Sequence, residues 1–261
     1  MEADPWEPAL SEDPSLVRRL YRRYAPGPAR GAARRAVERW RTARWRRPQR
    51  LGSLRRLTPV DDNWGFTRGG PVDRVYIARF LERHSSDIQG RVLEVADDDY
   101  VRRFGTRVTG VDILDAAEGN PKATLVADLT DAPDIRDSTY DCVILTQVLQ
   151  VIWDVPAALR TAHRILVPGG VLLATVPGIC KISTPEAQAF GDWWRFTSMS
   201  AARLAEEAFG AGAVEVETYG NVLAAVGFLH GLGEWDLRPD ELEVHDPDYQ
   251  VTIGIRGVKR G

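Results

Sequence analysis

The stretch that decides the fold is a series of short apolar runs: RVLEVADDDY (Arg91–Tyr100), RVTGVDILD (Arg107–Asp115), ATLVADLTD (Ala123–Asp131), YDCVILTQVLQ (Tyr140–Gln150) and LVPGGVLLATVP (Leu166–Pro177). Each run is rich in Val, Ile and Leu, which is typical of strands buried on both faces of a sheet. Helix-length segments such as Val155–Leu166 separate several of them. The sequence therefore predicts an α/β fold with a doubly wound, mostly parallel sheet.

Two further runs extend this sheet. Val214–Tyr219 and Tyr249–Val258 alternate apolar and polar residues, and we expect them to be its last, antiparallel strands, which brings the total to seven. Asn221–Gly231 between them is predicted to be a buried helix that ends at His230. Thr197 or Ser198 is predicted to cap the helix before them.

Polar residues follow the predicted strands, where ligands of doubly wound sheets bind. Glu94 ends the first strand, and Asp112, eighteen positions later, is expected at the end of the second, where a carboxylate can accept from both hydroxyls of a ribose. Asp128 follows the third strand and can accept from an adenine amino group. Thr146 and Gln147 end the fourth strand, where the reacting part of a cofactor is expected.

On these residues, the segment from Trp64 to Thr197 resembles the class I S-adenosylmethionine-dependent methyltransferases, in particular the bacterial group that acts on small molecules. The resemblance implies a Rossmann-like sheet with S-adenosyl-L-methionine as the cofactor. It further implies a set of cofactor contacts: Asp112 with its neighbour Ile113 at the ribose, Asp128 and Leu129 at the adenine, Thr146 and Gln147 near the methionine part, and Glu94 before the turn.

The turn after the first strand departs from the family pattern. The family usually has glycine two residues after the acid, whereas this chain has Ala96 followed by Asp97–Asp99. The loss of glycine reduces backbone freedom, since glycine alone enters positive φ at little cost. A carboxylate such as Asp97 can accept from the methionine ammonium, and an acidic turn would repel the pyrophosphate of a dinucleotide. Ala96 and Asp97 are therefore predicted to contact the cofactor.

Two other segments are candidates for the site. In NWGFTRGGPVDRVYI (Asn63–Ile77), Arg68 is predicted to meet the methionine carboxylate and Tyr76 to line the same pocket, with a domain-joining loop as the alternative. The segment after the fifth strand, DWWRFT, resembles one that is common in the family. Trp193, Trp194 and Arg195 are its candidates for binding the methyl acceptor, and packing of the tryptophans against the sheet is the alternative.

A hydroxyl acceptor needs a base near neutral pH, and histidine is best suited to that task. The candidate catalytic residues are His230, His245 and Asp192. No metal site is predicted, because the two cysteines do not form a zinc-binding pattern. The fourth strand ends in Thr-Gln-Val-Leu and lacks the Asn/Asp-Pro-Pro-aromatic signature used on exocyclic amines of bases, so a nucleic-acid substrate is disfavoured.

Charge divides the chain into two parts. Between Leu16 and Thr58 there are fifteen arginines and one acid, whereas the whole chain carries a net charge of −3. We therefore predict a partly helical, Arg-rich N-terminal extension at 1–58 and a methyltransferase domain at 59–261 with acceptor-site insertions at about 178–200 and 220–247. Three roles stay open for the extension: a helix on the acidic body, a lid or homodimer contact, and binding to nucleic acid or an anionic membrane.

The predicted function is transfer of a methyl group to oxygen or nitrogen of a small-molecule acceptor, such as a sugar or a secondary metabolite in natural product biosynthesis. Two alternatives stay open: non-methylating chemistry such as a cyclisation in the same pocket, and an anion-binding protein that uses the Arg-rich extension. No run of eighteen apolar residues suggests a membrane span, and the N-terminus lacks an apolar signal region, so a cytoplasmic location is expected.

Overall fold

A computed structural model of the protein describes residues 52–261. The chain divides into two units, Met1–Arg55 and Arg56–Gly261, and all strands and α-helices given below belong to the second. Of the first unit, the structure describes residues 52–55, which include a short 3-10 helix at Gly52–Leu54. The predicted Arg-rich extension lies mostly outside the described residues, and so do its three candidate roles.

One seven-stranded sheet organises the second unit. Its strands are β1 (Gln89–Val95), β2 (Arg107–Asp115), β3 (Leu125–Val126), β4 (Tyr140–Thr146), β5 (Leu166–Pro177), β6 (Val214–Tyr219) and β7 (Thr252–Val258). Their order is β3-β2-β1-β4-β5-β7-β6. The first five strands pair in parallel, whereas β7 is antiparallel to both β5 and β6. The predicted seven-stranded, mostly parallel, doubly wound sheet is confirmed.

The helices follow the local sequence signals. They are α1 (Val72–Arg83), α2 (Asp99–Phe104), α3 (Val155–Ile165), α4 (Thr184–Ala189), α5 (Ser198–Phe209), α6 (Val222–Leu229) and α7 (Pro239–Glu243). Helix α3 begins after Asp154, whose side chain accepts from the Ala157 N–H. Thr197 caps α5 as predicted. Helix α6 lies between Asn221 and His230 as predicted. It is not a buried helix, however, because apolar residues are exposed along one of its faces: Val222, Leu223, Val226 and Leu229.

Helices cover both faces of the sheet. Apolar residues of α3 and α5, such as Leu159 and Phe209, share one core with Leu93 and Leu145, and α1 packs on the opposite face through Phe80. Glycine is required at position 254 of β7, because a Cβ there would lie 2.5 Å from the Phe80 ring. Strand order reverses between β1 and β4, so the carboxyl ends of these two strands border the crevice where such sheets bind ligands.

Candidate active site at the strand ends

The turn after β1 adopts a strained backbone conformation. Ala96 has a φ of 71°, and its N–H donates to the Leu114 carbonyl at 2.9 Å, while its own carbonyl accepts from the Asn120 amide. A left-handed conformation costs an alanine roughly 1–2 kcal/mol. Such strain persists where the surrounding structure enforces it, and it concentrates at functional sites.

A second strained residue lies at the end of the neighbouring strand. Gln147 follows β4 with a φ of 55°, and its N–H donates to the Thr175 carbonyl on β5 at 2.9 Å. Ala96 and Gln147 therefore end the two strands on either side of the point where strand order reverses. The predicted placement of Ala96, Thr146 and Gln147 at this edge is correct.

The carboxylate of Glu94, the last residue but one of β1, binds donors of the protein itself. Glu94 is 2% exposed, and its carboxylate accepts from the N–H groups of Tyr100 at 3.1 Å and Val101 at 2.9 Å. These donors belong to the first turns of α2, so Glu94 fixes the start of that helix. Burial raises the pKa of the Glu94 carboxyl to about 7, against the opposing effect of the two backbone donors.

Asp112 does not end β2, contrary to the sequence prediction. The strand continues for three more residues, and Asp112 lies opposite Leu93 within the sheet. Its carboxylate accepts from the Arg91 guanidinium at 2.7 Å and from the Tyr140 hydroxyl at 3.0 Å. Asp112 is half-buried, whereas the next residue, Ile113, is buried, and the Ile113 N–H donates to the Thr124 hydroxyl. Asp112 is therefore an interior acid with partners of its own.

Two other acids lie at the edge of the sheet. Asp115 ends β2, and its carboxylate accepts from the Ala117 N–H at 3.2 Å and the Asn120 amide at 2.9 Å. Asp97, in the turn after β1, accepts from the Asp99 N–H at 3.0 Å. Within residues 52–261 neither acid has an ion-pair partner, whereas Asp98 and Asp99 both pair with Arg102. The negative charge of Asp97 and Asp115 is therefore uncompensated at this edge.

The residues after β3 are arranged less favourably than predicted. Asp128 is exposed, and its carboxylate accepts from the N–H and the hydroxyl of Thr130, each at 2.8 Å. Leu129 is buried in the core that α3 and α5 share, so its side chain does not lie at the surface where an adenine ring would pack. The burial of Leu129 therefore does not favour the predicted packing on the ring.

A cavity of about 320 Å³ lies beside Gln147. Its wall combines the loop before α1, the residues after β4 and β5, and the segment around α4: Asn63, Trp64, Phe66, Pro71, Asp73, Arg74, Gln147, Gln150, Val151, Pro177, Cys180, Lys181, Ser183, Pro185, Glu186, Asp192, Arg195, Phe228 and Val251.

The loop before α1 contributes to this cavity through residues other than the predicted ones. Arg68 donates to the Asp236 carboxylate at 2.6 Å and is absent from the cavity wall. Tyr76 is buried and stacks on Tyr219, with ring centroids 5.8 Å apart. The geometry does not favour either predicted contact, because Asp236 binds the arginine and the tyrosine, on α1, packs in a core. Asp73 and Arg74 line the cavity instead.

Of the predicted acceptor-binding segment, Asp192 and Arg195 reach the cavity. The Asp192 side chain is 3% exposed, and its two oxygens accept from Arg195 at 2.6 and 2.9 Å. These hydrogen bonds lower the pKa of the Asp192 carboxyl, which makes it a poor base. Trp193 and Trp194 are exposed and lie outside the cavity wall. Trp194 stacks on Trp153 and Trp193 meets the same ring edge-on, each with ring centroids 5.2 Å apart.

The two candidate histidines lie away from the cavity. His230 ends α6 and takes no part in the wall. His245 is exposed and makes a 2.7 Å hydrogen bond with Thr218, beside a second cavity bordered by α1 and β6. Neither histidine lines the cavity beside Gln147 in this conformation. In the described part of the chain, no group of three His, Cys, Asp or Glu side chains is placed to hold a metal ion.

Sequence reasoning missed two residues of the cavity. Asp73 lies in the first turn of α1, and Gln150 follows β4. Asp73 Oδ1 and Gln150 Oε1 are buried and have no hydrogen-bond partner within residues 52–261. Buried acceptors of this kind are rare and require an explanation. Gln150 belongs to a run that the sequence singled out, but the sequence contains no signal that turns Asp73 toward this site.

Part of the sheet matches the model of a known protein family. Residues 89–174 match the family model described as a methyltransferase domain. A curated relative, the probable polyketide synthase 5 of Dictyostelium discoideum, is 33% identical over 75 residues, which are 28% of this chain. The matched segment spans 3% of that relative's length.

Several solved structures resemble the chain in fold. Phosphoethanolamine N-methyltransferase 2 of Haemonchus contortus, bound to phosphomonomethylethanolamine and S-adenosylhomocysteine, is 17% identical, with a TM-score of 0.47, and the match covers 76% of this chain and 55% of that one. The YcgJ protein of Bacillus subtilis is 12% identical (TM-score 0.44; 72% and 99% covered). The [4+2]-cyclase SpnF is 14% identical (TM-score 0.44; 72% and 80% covered).

Proposed function

We infer that this chain, whose residues 89–174 match a methyltransferase-domain family model, is a class I S-adenosylmethionine-dependent enzyme that transfers a methyl group to oxygen or nitrogen of a small molecule. One observation carries this inference. Two strained turns, at Ala96 and Gln147, end adjacent strands, with uncompensated acids on one side and a cavity on the other. A cofactor over the turns would lie next to an acceptor in the cavity.

The residues at this edge fit S-adenosyl-L-methionine in their chemistry. Asp115 is suited to accept from ribose hydroxyls, Asp97 from the methionine ammonium, and Asp128 from the adenine amino group. Arg74 is suited to bind the methionine carboxylate in place of Arg68, because Arg68 already binds Asp236. When bound, this cofactor supplies an electrophilic methyl group on a sulfonium. The free acids suit its ammonium and would repel phosphate.

For the ribose, we transfer the predicted role of Asp112 to Asp115. The hydrogen bond from the Ala96 N–H to the Leu114 carbonyl brings the end of β2 beside the strained turn. Asp115 therefore lies next to the turn, and its charge is uncompensated. Asp112 lies three residues before Asp115 in β2, with its side chain on the opposite face of the sheet. It already binds Arg91 and Tyr140.

The protein's own contribution to the reaction is mainly positioning. Holding two reactants in a productive geometry can lower a barrier by several kcal/mol. The Asp192–Arg195 ion pair stiffens the cavity wall, since Arg195 also donates to the Lys181 carbonyl at 2.7 Å and Asp192 accepts from the Ser183 N–H. Gln147 is held in turn by the amide of Gln150, which donates to its carbonyl at 2.7 Å.

Titration calorimetry with S-adenosylhomocysteine tests the cofactor site, and ATP is the matched control because it shares the nucleoside but carries phosphates. We expect the former to bind and ATP not to bind. Transfer of label from methyl-labelled cofactor into a panel of hydroxyl and amine compounds then tests the reaction. Cofactor binding without transfer to any of them would favour non-methylating chemistry, and absence of binding would contradict the proposed function.

Three further predictions concern the location of the protein, its oligomeric state and its metabolic role. None of the helices described in the structure has the length and apolar character needed to cross a bilayer. We keep the cytoplasmic location, the homodimer contact and a role in natural product biosynthesis as predictions. Size-exclusion chromatography with light scattering tests the dimer directly, and a monomeric mass at micromolar concentration would exclude it.

A further inference from the structure

The cavity beside Gln147 contains two hydrogen-bond acceptors that the protein leaves unused. Asp73 Oδ2 lies 3.6 Å from the Arg74 guanidinium, but Asp73 Oδ1 has no partner among residues 52–261, although the side chain is only 13% exposed. Gln150 uses its amide N–H on the Gln147 carbonyl, which leaves Oε1 buried and unpartnered. A buried polar atom without a partner costs about 1–3 kcal/mol. A ligand that donates to both atoms would recover that free energy.

We propose that Asp73 and Gln150 bind the methyl acceptor through a pair of hydroxyl groups, and that the acceptor is an uncharged, polyhydroxylated small molecule. The proposal rests on the proposed function, since it concerns the acceptor of that reaction. Both unpartnered atoms are acceptors, so the ligand must offer donors. The fixed position of the Gln150 amide selects the direction of one of these hydrogen bonds.

The charges of the cavity wall favour an uncharged molecule over an ion. Three acids (Asp73, Glu186, Asp192) are matched by three bases (Arg74, Lys181, Arg195), so the wall has no net charge. Asp192 and Arg195 neutralise each other in a short ion pair. Burial raises the pKa of the Asp73 carboxyl because it disfavours the charged form, and the charge of Arg74 opposes that shift.

The size and the aromatic part of the wall limit the molecule further. A volume of about 320 Å³ is near the lower end of the range for ligand sites, which suits a single small ring. Trp64 and Phe228 lie together on one side, with ring centroids 5.6 Å apart, and offer an apolar surface to the C–H face of such a ring. Lys181 lies 4.6 Å from the centre of the Trp64 ring and fixes its position.

Saturation-transfer difference NMR tests this proposal on the full chain in the presence of excess S-adenosylhomocysteine. The probes are a mixture of D-glucose, D-galactose and L-rhamnose, with ethanolamine as the amine probe. We expect signals from at least one monosaccharide and a loss of at least tenfold in its affinity in Asp73→Asn and in Gln150→Leu. Glu82→Gln is the matched control, because Glu82 is exposed on the same helix and lies outside this cavity. It should bind as the wild type does.

Three outcomes would overturn the proposal. Binding of ethanolamine alone would assign the pair to an amine, and no binding of any monosaccharide would exclude the hydroxyl pair. If Asp73→Asn weakened the binding of S-adenosylhomocysteine as much as that of the monosaccharide, Asp73 would be assigned to the cofactor's ammonium. Thermal unfolding of each variant identifies a folding defect, in which case the other variant decides. Cofactor binding by the wild type is measured separately, so failure of the proposed function is distinguishable from failure of this proposal.

Discussion

The acids inside the sheet and the acids at its edge differ in what holds them. Glu94 and Asp112 lie within strands, and their carboxylates accept from the protein's own donors, including an arginine and a tyrosine hydroxyl. Asp97 and Asp115 lie just beyond or at the strand ends, bind a few local N–H donors and lack ion-pair partners within residues 52–261. The difference teaches that the interior acids stabilise the fold and the edge acids are available to a ligand.

The largest expected effect concerns Glu94. Its pKa in the folded protein is about 7, above the ordinary value of 4.5, so its contribution to stability is fully present below pH 4.5 and is lost as the pH rises through 7. We expect the unfolding free energy of the wild type, relative to Glu94→Gln, to fall by about 3 kcal/mol between pH 4.5 and pH 8. Urea titrations at several pH values measure this difference.

Burial is the cause of that shift, so added salt should leave the pH dependence largely unchanged. A difference between the two proteins that stays constant with pH, or that grows in the opposite direction, would show that Glu94 is not a buried structural acid. The comparison between interior and edge acids would then lose one of its two interior members.

Asp112→Ala is expected to have the next largest effect, on stability alone. The substitution leaves the Tyr140 hydroxyl without its acceptor and removes the partner of Arg91, which should cost about 2 kcal/mol. Urea unfolding measures the loss, and Tyr140→Phe, which keeps the ring but removes the hydroxyl, should lose about 1 kcal/mol. Unchanged stability in Asp112→Ala would mean that the carboxylate is not engaged as described.

Ala96→Gly is expected to have the smallest effect on stability, and in the opposite direction. Glycine adopts a φ of 71° without the steric cost that alanine incurs, so the variant should be more stable by about 1 kcal/mol. Ala202→Gly, inside α5, is the matched control and should be less stable by about 1 kcal/mol. Equal destabilisation in the two variants would contradict the strained turn after β1.

The sequence predicted the sheet well because its strands are continuous apolar runs, and such runs identify buried strands without knowledge of their neighbours. The apolar runs Arg107–Asp115 and Leu166–Pro177 coincide with β2 and β5, and the cap at Thr197 is confirmed. The placement of Asp112 at the end of β2 was wrong, because the pairing of β2 with β1 continues beyond Asp112. The hydrogen bond from the Ala96 N–H to the Leu114 carbonyl belongs to that continued pairing. No periodicity within a single run contains that information.

The cavity was harder to predict than the sheet because it is built by contacts between distant segments. Arg68 was predicted to bind an anionic carboxylate of the cofactor, but it binds Asp236, which lies far away in the sequence. The tryptophans of DWWRFT pack against Trp153 rather than line the cavity, and the direction of Asp73 depends on how α1 packs. Side-chain direction at such junctions is a tertiary property, so the sequence indicated the segments but not the residues.

The most direct measurement of the difference between interior and edge acids is the affinity of S-adenosylhomocysteine for Asp115→Asn and Asp112→Asn, by titration calorimetry on proteins whose unfolding has been checked. We expect Asp115→Asn to bind roughly tenfold more weakly than the wild type, about 1.4 kcal/mol, with unchanged stability. Asp112→Asn should bind within about threefold of the wild type and be less stable, as expected of an interior acid. Wild-type affinity in Asp115→Asn together with lost affinity in Asp112→Asn would contradict the assignment of the ribose to the edge of the sheet.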